Sequence, residues 1–174
     1  SALVKEVVGR LGAVGLVLRA LTAHGATSPA LVKSACGALS NLCQDKQNQA
    51  AVTAHGGVRP VLAALQRHRR DAALLPFIFD ALAGIAVGSE VNALAVGAAG
   101  GAALALEAVG LHCRRREVVK SGCHALAILS DVRGQGARLA EEGGVAVMLL
   151  VLRLHTRFVA LHRISAIVLL RMLQ

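Results

Sequence analysis

The sequence predicts an all-α solenoid of about four tandem three-helix units, and three observations predict it. A pair of small residues recurs at Gly12-Ala13, Gly56-Gly57, Gly100-Gly101 and Gly143-Gly144, in steps of 44, 44 and 43 residues. Three further series keep that register: Leu18, Leu62, Leu106 and Leu149; Leu21, Leu65, Val109 and Leu152; His24, His68, His112 and His155. Between the pairs an i, i+1, i+4 apolar grouping repeats, at Ala38-Leu39 with Leu42, Ala81-Leu82 with Ile85, Ala125-Leu126 with Leu129, and Val168-Leu169 with Met172. That grouping is one face of a helix. No stretch alternates with period two, so no strand is expected. The 174 residues divide into units 1–44, 45–88, 89–133 and 134–174 of a single solenoid, expected to be a segment of a longer protein.

Each element follows from local chemistry. The first helix of a unit is short, at 48–55, 91–98 and 135–142, and Asp45 and Ser89 stand ahead of two of these as N-caps. The glycine pair then turns the chain, because Gly tolerates positive φ. Second helices are expected at 14–24, 58–68, 102–111 and 145–155, with Pro60 in a first turn, where no donor is lost. Third helices are the longest, at 29–43, 71–87, 116–130 and 158–173. Ser28-Pro29 is a cap followed by a first-turn proline, whereas Pro76 must kink its helix or delay its start. A trio of this size cannot bury its apolar faces alone, but stacked units can. Neither Ala2-Leu3-Val4 nor Ile167-Val168-Leu169-Leu170 looks like a polar cap, so the ends are expected to meet further repeats or to self-associate.

Composition narrows function. Hydrophobic residues make up 55% and charged ones 17%, which excludes disorder. Aromatics are 2%, with no Trp or Tyr, which argues against binding by base stacking. Lys+Arg 19 against Asp+Glu 10 gives +9 and favours acidic partners. Cys36, Cys43, Cys113 and Cys123 match no zinc or C-x-x-C spacing and read as small buried or half-buried thiols in a reducing compartment, cytoplasmic or nuclear. No signal peptide is visible, and the apolar stretch 91–111 is interrupted by Gly100-Gly101, so neither secretion nor a membrane span is expected.

The stretch Asp45-Lys46-Gln47-Asn48-Gln49-Ala50-Ala51-Val52-Thr53-Ala54-His55-Gly56-Gly57-Val58-Arg59-Pro60-Val61-Leu62, preceded by Ala38-Leu39-Ser40-Asn41-Leu42, resembles an armadillo repeat. The resemblance covers essentially the whole chain and is strongest over 29–66. It implies a right-handed superhelix whose third helices line a concave groove. It also implies a protein-interaction scaffold that binds extended segments and does not catalyse. In the nuclear-import receptors of that family the groove carries Asn and Trp ladders. Here Asn41 fills one Asn rung, but the equivalent positions are Gly84, Ile128 and Arg171, and the Trp positions are Gly37, Asp80, His124 and Ile167. Recognition of basic import signals is therefore not expected.

Residues four apart on a helix share a face, so the groove columns become Lys33, Gly37, Asn41; Pro76, Asp80, Gly84; Lys120, His124, Ile128; and Arg163, Ile167, Arg171. Four cations against Asp80 predict a mildly positive groove suited to an extended acidic segment, or else merely solvated helix faces. The loops between second and third helices hold Arg67, Arg69 and Arg70, then Arg114, Arg115 and Arg116, then Arg157. They form either a solubilising rim or a ridge for nucleic acid or anionic membrane. The four register histidines lie one per unit, about 10 Å apart by helix packing, too far to share a metal. They read as helix-end residues. No nucleophile, acid/base pair, phosphate loop, cofactor site, metal site or small-molecule substrate site is expected.

Overall fold

The computed structural model describes residues 2–174; Ser1, the first position of the first expected unit, lies outside them. The described residues form twelve helices and no strand, in four consecutive trios. Unit 1 holds α1 (Ala2–Arg10), α2 (Ala13–His24) and α3 (Pro29–Leu42). Unit 2 holds α4 (Lys46–Ala54), α5 (Val58–His68) and α6 (Leu75–Ala86). Unit 3 holds α7 (Glu90–Ala98), α8 (Gly101–Leu111) and α9 (Arg116–Leu129). Unit 4 holds α10 (Gln135–Glu141), α11 (Gly144–Leu154) and α12 (Val159–Met172).

The caps act where the sequence puts them. Ser28 Oγ accepts from Leu31 N–H, Asp45 Oδ1 from Gln47 and Asn48 N–H, and Ser89 Oγ from Asn92 N–H. The first glycine of each pair takes positive φ, as at Gly100 with φ 72°. In units 2, 3 and 4 the second is also Gly, and it is selected by contact. A Cβ on Gly101 would fall 2.8 Å from Leu62 Cδ2 of the preceding unit and 2.5 Å from Val96 Cγ1. The stretch 91–111 is therefore two helices, α7 and α8, meeting at 71°. Among the described residues no single helix is long and apolar enough to cross a membrane.

Two elements differ from expectation. The third helix of unit 2 begins at Leu75, not at residue 71. Pro76 fits only in a first turn, so residues 71–74 form a separate turn closed by Leu75 N–H to Asp71 O. Unit 1 has a first helix, α1, over residues read from sequence only as an apolar start.

The core runs the length of the stack. Leu39, Phe79, Leu82, Ile85, Leu126 and Leu129 are fully buried where α3, α6 and α9 pack side by side. Third helices pack more closely on one another than second helices do, which puts them on the inner side of the curve. Burying each large apolar side chain contributes about 1.5–3 kcal/mol.

A polar ladder fixes the spacing between units. Asn92 is fully buried; its Nδ2 donates to Ile85 O at 3.0 Å and to Gln49 O of the preceding unit at 3.2 Å, and its Oδ1 accepts from Thr53 Oγ1. Asn48, one unit earlier, donates to Leu42 O and to Lys5 O of α1. Gln135 takes the same register position in unit 4, its amide seated against Gly97. The histidines form a second ladder. His68 Nε2 meets Gly25 O at 2.9 Å, His112 Nε2 meets Arg69 O at 3.0 Å and His155 Nε2 meets Cys113 O at 2.7 Å. A carbonyl only accepts, so Nε2 carries the proton in all three. They are helix-end residues, as expected, and also clasps between successive units.

Asn92→Ala removes the buried amide that bonds Ile85 O and bridges to Gln49 O and Thr53, and is expected to cost about 2 kcal/mol. Asp45→Ala removes only a cap and is expected to cost about 1 kcal/mol. Equilibrium urea unfolding of the two variants checks the ranking.

Candidate interaction surface

The third helices form one continuous face, and its cations are unevenly free. Lys33 Nζ lies 4.9 Å from the centroid of the Phe77 ring, so its charge rests on the neighbouring unit. Arg171 is ion-paired with Asp131, in the turn after α9. The expectation of four cations against Asp80 alone is corrected accordingly. Asp131 escaped the column reading because it lies on a turn, not on a helix. Lys120, His124 and Arg163 remain exposed on adjacent α9 and α12, without an ion pair among the described residues. Asn41 is exposed on α3, and Asp80 is half-buried on α6. Lys120 and Arg163 therefore leave two unpaired charges on units 3 and 4, against Lys33 alone on unit 1.

The arginine loops do not make a uniform ridge. Arg69 is drawn to Glu107 of α8 at 3.1 Å and to Gln66 O. Arg116 lays its guanidinium 4.0 Å from the centroid of the Phe158 ring of unit 4. Arg67, Arg70, Arg115 and Arg116 nonetheless come together around one cavity of about 880 Å³ between units 2 and 3. Arg114 and Arg157 are exposed and do not line it.

The cysteines are free among the described residues. Burial pushes the Cys36 and Cys43 thiols up to about 12 and Cys123 to about 11, with the Ser165 hydroxyl opposing the rise at Cys123. Cys113 is half-buried. Cys123 and His124, adjacent in sequence, point apart: one is buried and the other exposed. Glu141 and Glu142 end α10 and are exposed.

The GAC ARM domain family matches residues 16–174. Among solved structures, the crystal structure of an engineered protein is similar, with a TM-score of 0.84 and 22% identity over 99% of this chain and 67% of that one. At that identity the likeness concerns the fold. No curated protein matches the sequence.

Iodoacetamide at pH 8 is expected to label Cys113 in the native protein and to spare the other three thiols, by mass spectrometry. Folded thiols that ionise above the ordinary 9.0 stabilise the native state fully below that pH. Their contribution falls as pH rises towards 12, so thermal stability should decline across that window and decline less in Cys36→Ala.

Proposed function

With the chain's membership of the GAC ARM domain family as premise, we propose that it is a non-catalytic protein-interaction scaffold that binds an extended, acidic partner segment along the third-helix face. Armadillo domains in general mediate protein–protein interaction, which supports the scaffold class. The observation that carries the finer reading is the cluster of Lys120, His124 and Arg163, exposed and without carboxylate partners among the described residues. Asn41, at the other end of the face, offers a donor and an acceptor to a peptide backbone. Asp80 sets a polarity between them, placing the acidic stretch of the partner over units 3 and 4. The free thiols support a reducing compartment.

The rival reading, nucleic acid or an anionic membrane held by a continuous arginine rim, has less support. Arg69 is ion-paired with Glu107, which interrupts the ridge, whereas Arg116 keeps its charge over the Phe158 ring.

Four units about 10 Å apart match about twelve extended residues at about 3.3 Å each. A labelled twelve-residue Glu-rich peptide is the probe. Lys120→Glu combined with Arg163→Glu is expected to weaken its binding about tenfold in fluorescence polarisation, and Arg157→Glu to leave it unchanged. Equal affinity of the double variant would sink the groove assignment.

A further inference from the structure

Two cavities share Arg67 in their linings; the first lies among second helices, and the second reaches the first turn of α9. One, of about 510 Å³, lies between units 1 and 2 and is lined mainly by apolar groups, among them Leu21, Pro60, Ala63 and Ala64. The other is the arginine cavity of about 880 Å³ between units 2 and 3. Arg67 lines both.

The arginine cavity holds four guanidiniums against two carboxylates, Asp71 and Glu117. Asp71 is occupied within its own turn, accepting from Ala73 N–H at 2.9 Å. Glu117 lies 4.0 Å from Arg116 Nε and is exposed. The formal excess of two positive charges matches a phosphate dianion better than a single carboxylate. A phosphate monoester carries about −1.5 to −2 charge and three acceptor oxygens, and guanidinium forks bind such oxygens in pairs. α9 also starts at this cavity with Arg115 as N-cap, which offers no acceptor to the first-turn N–H groups. Those amides add to the field that the arginines already set.

The neighbouring apolar cavity decides the kind of molecule. It has no aromatic side chain in its lining on which a base could stack, and its Leu, Pro and Ala walls suit an aliphatic side chain. We propose that the two cavities form one bipartite peptide site. An extended partner segment places an apolar side chain between units 1 and 2 and a phosphorylated side chain between units 2 and 3. One unit step of about 10 Å separates the two by about three extended residues. Arg67 stands at the junction and couples them.

The probes are labelled peptides with leucine and phosphoserine three residues apart, in both orders, read by fluorescence polarisation on the intact chain. For one order, phosphoserine is expected to bind at least tenfold more tightly than serine. Exchanging its leucine for alanine should lose about fivefold. Arg67→Ala should reduce both gains. Arg115→Ala should reduce only the phosphate gain, with circular dichroism confirming that each variant is folded. Arg157→Glu, outside the cavity, should change nothing, and neither should Arg163→Glu, on α12 and in the lining of neither cavity. Arg163→Glu weakens only the Glu-rich peptide of the third-helix reading, so either reading can fail alone. Equal binding of the serine and phosphoserine peptides overturns the proposal. So does tighter binding of single-stranded DNA or phosphatidylserine vesicles that depends on Arg67 and Arg115, which would assign the cavity to nucleic acid or membrane.

Discussion

The structure depends on side chains of one unit capturing backbone carbonyls of the unit before it. Asn48 and Asn92 reach back to Lys5 O and Gln49 O; His68, His112 and His155 reach back to the loops after α2, α5 and α8. Apolar burial drives stacking but is indifferent to small slips, because one Leu packs almost as well as the next. A buried amide that misses its carbonyl loses its hydrogen bonds outright. The ladder therefore fixes the step between units, and the third-helix core fills in around that step.

The fixed step governs where charge ends up. Helix ends and loops about 44 residues apart in sequence face each other across adjacent units, so Arg67 in the last turn of α5 and Arg70 meet Arg115 and Arg116 at the start of α9 around one cavity. The same stacking brings Glu107 within reach of Arg69, and Phe158 under Arg116. Like charges are tolerated because they border open, solvated space; one of the four, Arg116, also rests on an aromatic face, and the half-buried Arg69 beside them finds a carboxylate. Two surfaces result: a third-helix face positive over units 3 and 4, and an edge where a cationic cavity adjoins an apolar one.

Close approach is managed by small residues at the contact points. Glycine at positions 9 and 97 leaves room for the amides of Asn48 and Gln135. Thr53, in the same register between them, instead donates its hydroxyl to Asn92. One position thus serves one contact in two ways, by vacating space or by bonding to what enters it.

By itself the sequence determined the repeat length, the helix trios, the glycine turns and the N-caps. These are local matters: a period, a side-chain oxygen two or three residues from an N–H, a backbone angle open to glycine. The delayed start of α6 was half legible, since Pro76 signalled either a kink or a delayed start and only the packed helix shows which. The register of the histidines was visible too, but not their role, because each acceptor carbonyl lies in another unit. Asn92 could be seen as a polar residue in an apolar run, and its alignment with Asn48 and Gln135 was the signal for an inter-unit bond. Only the tertiary structure decided which charges stay free. Arg171 is neutralised by Asp131, 40 residues away in sequence, while Lys33 keeps its charge and rests it on the Phe77 ring, 44 residues away. A charge interacts through space and not along the chain, so its partner is known only once the units are stacked.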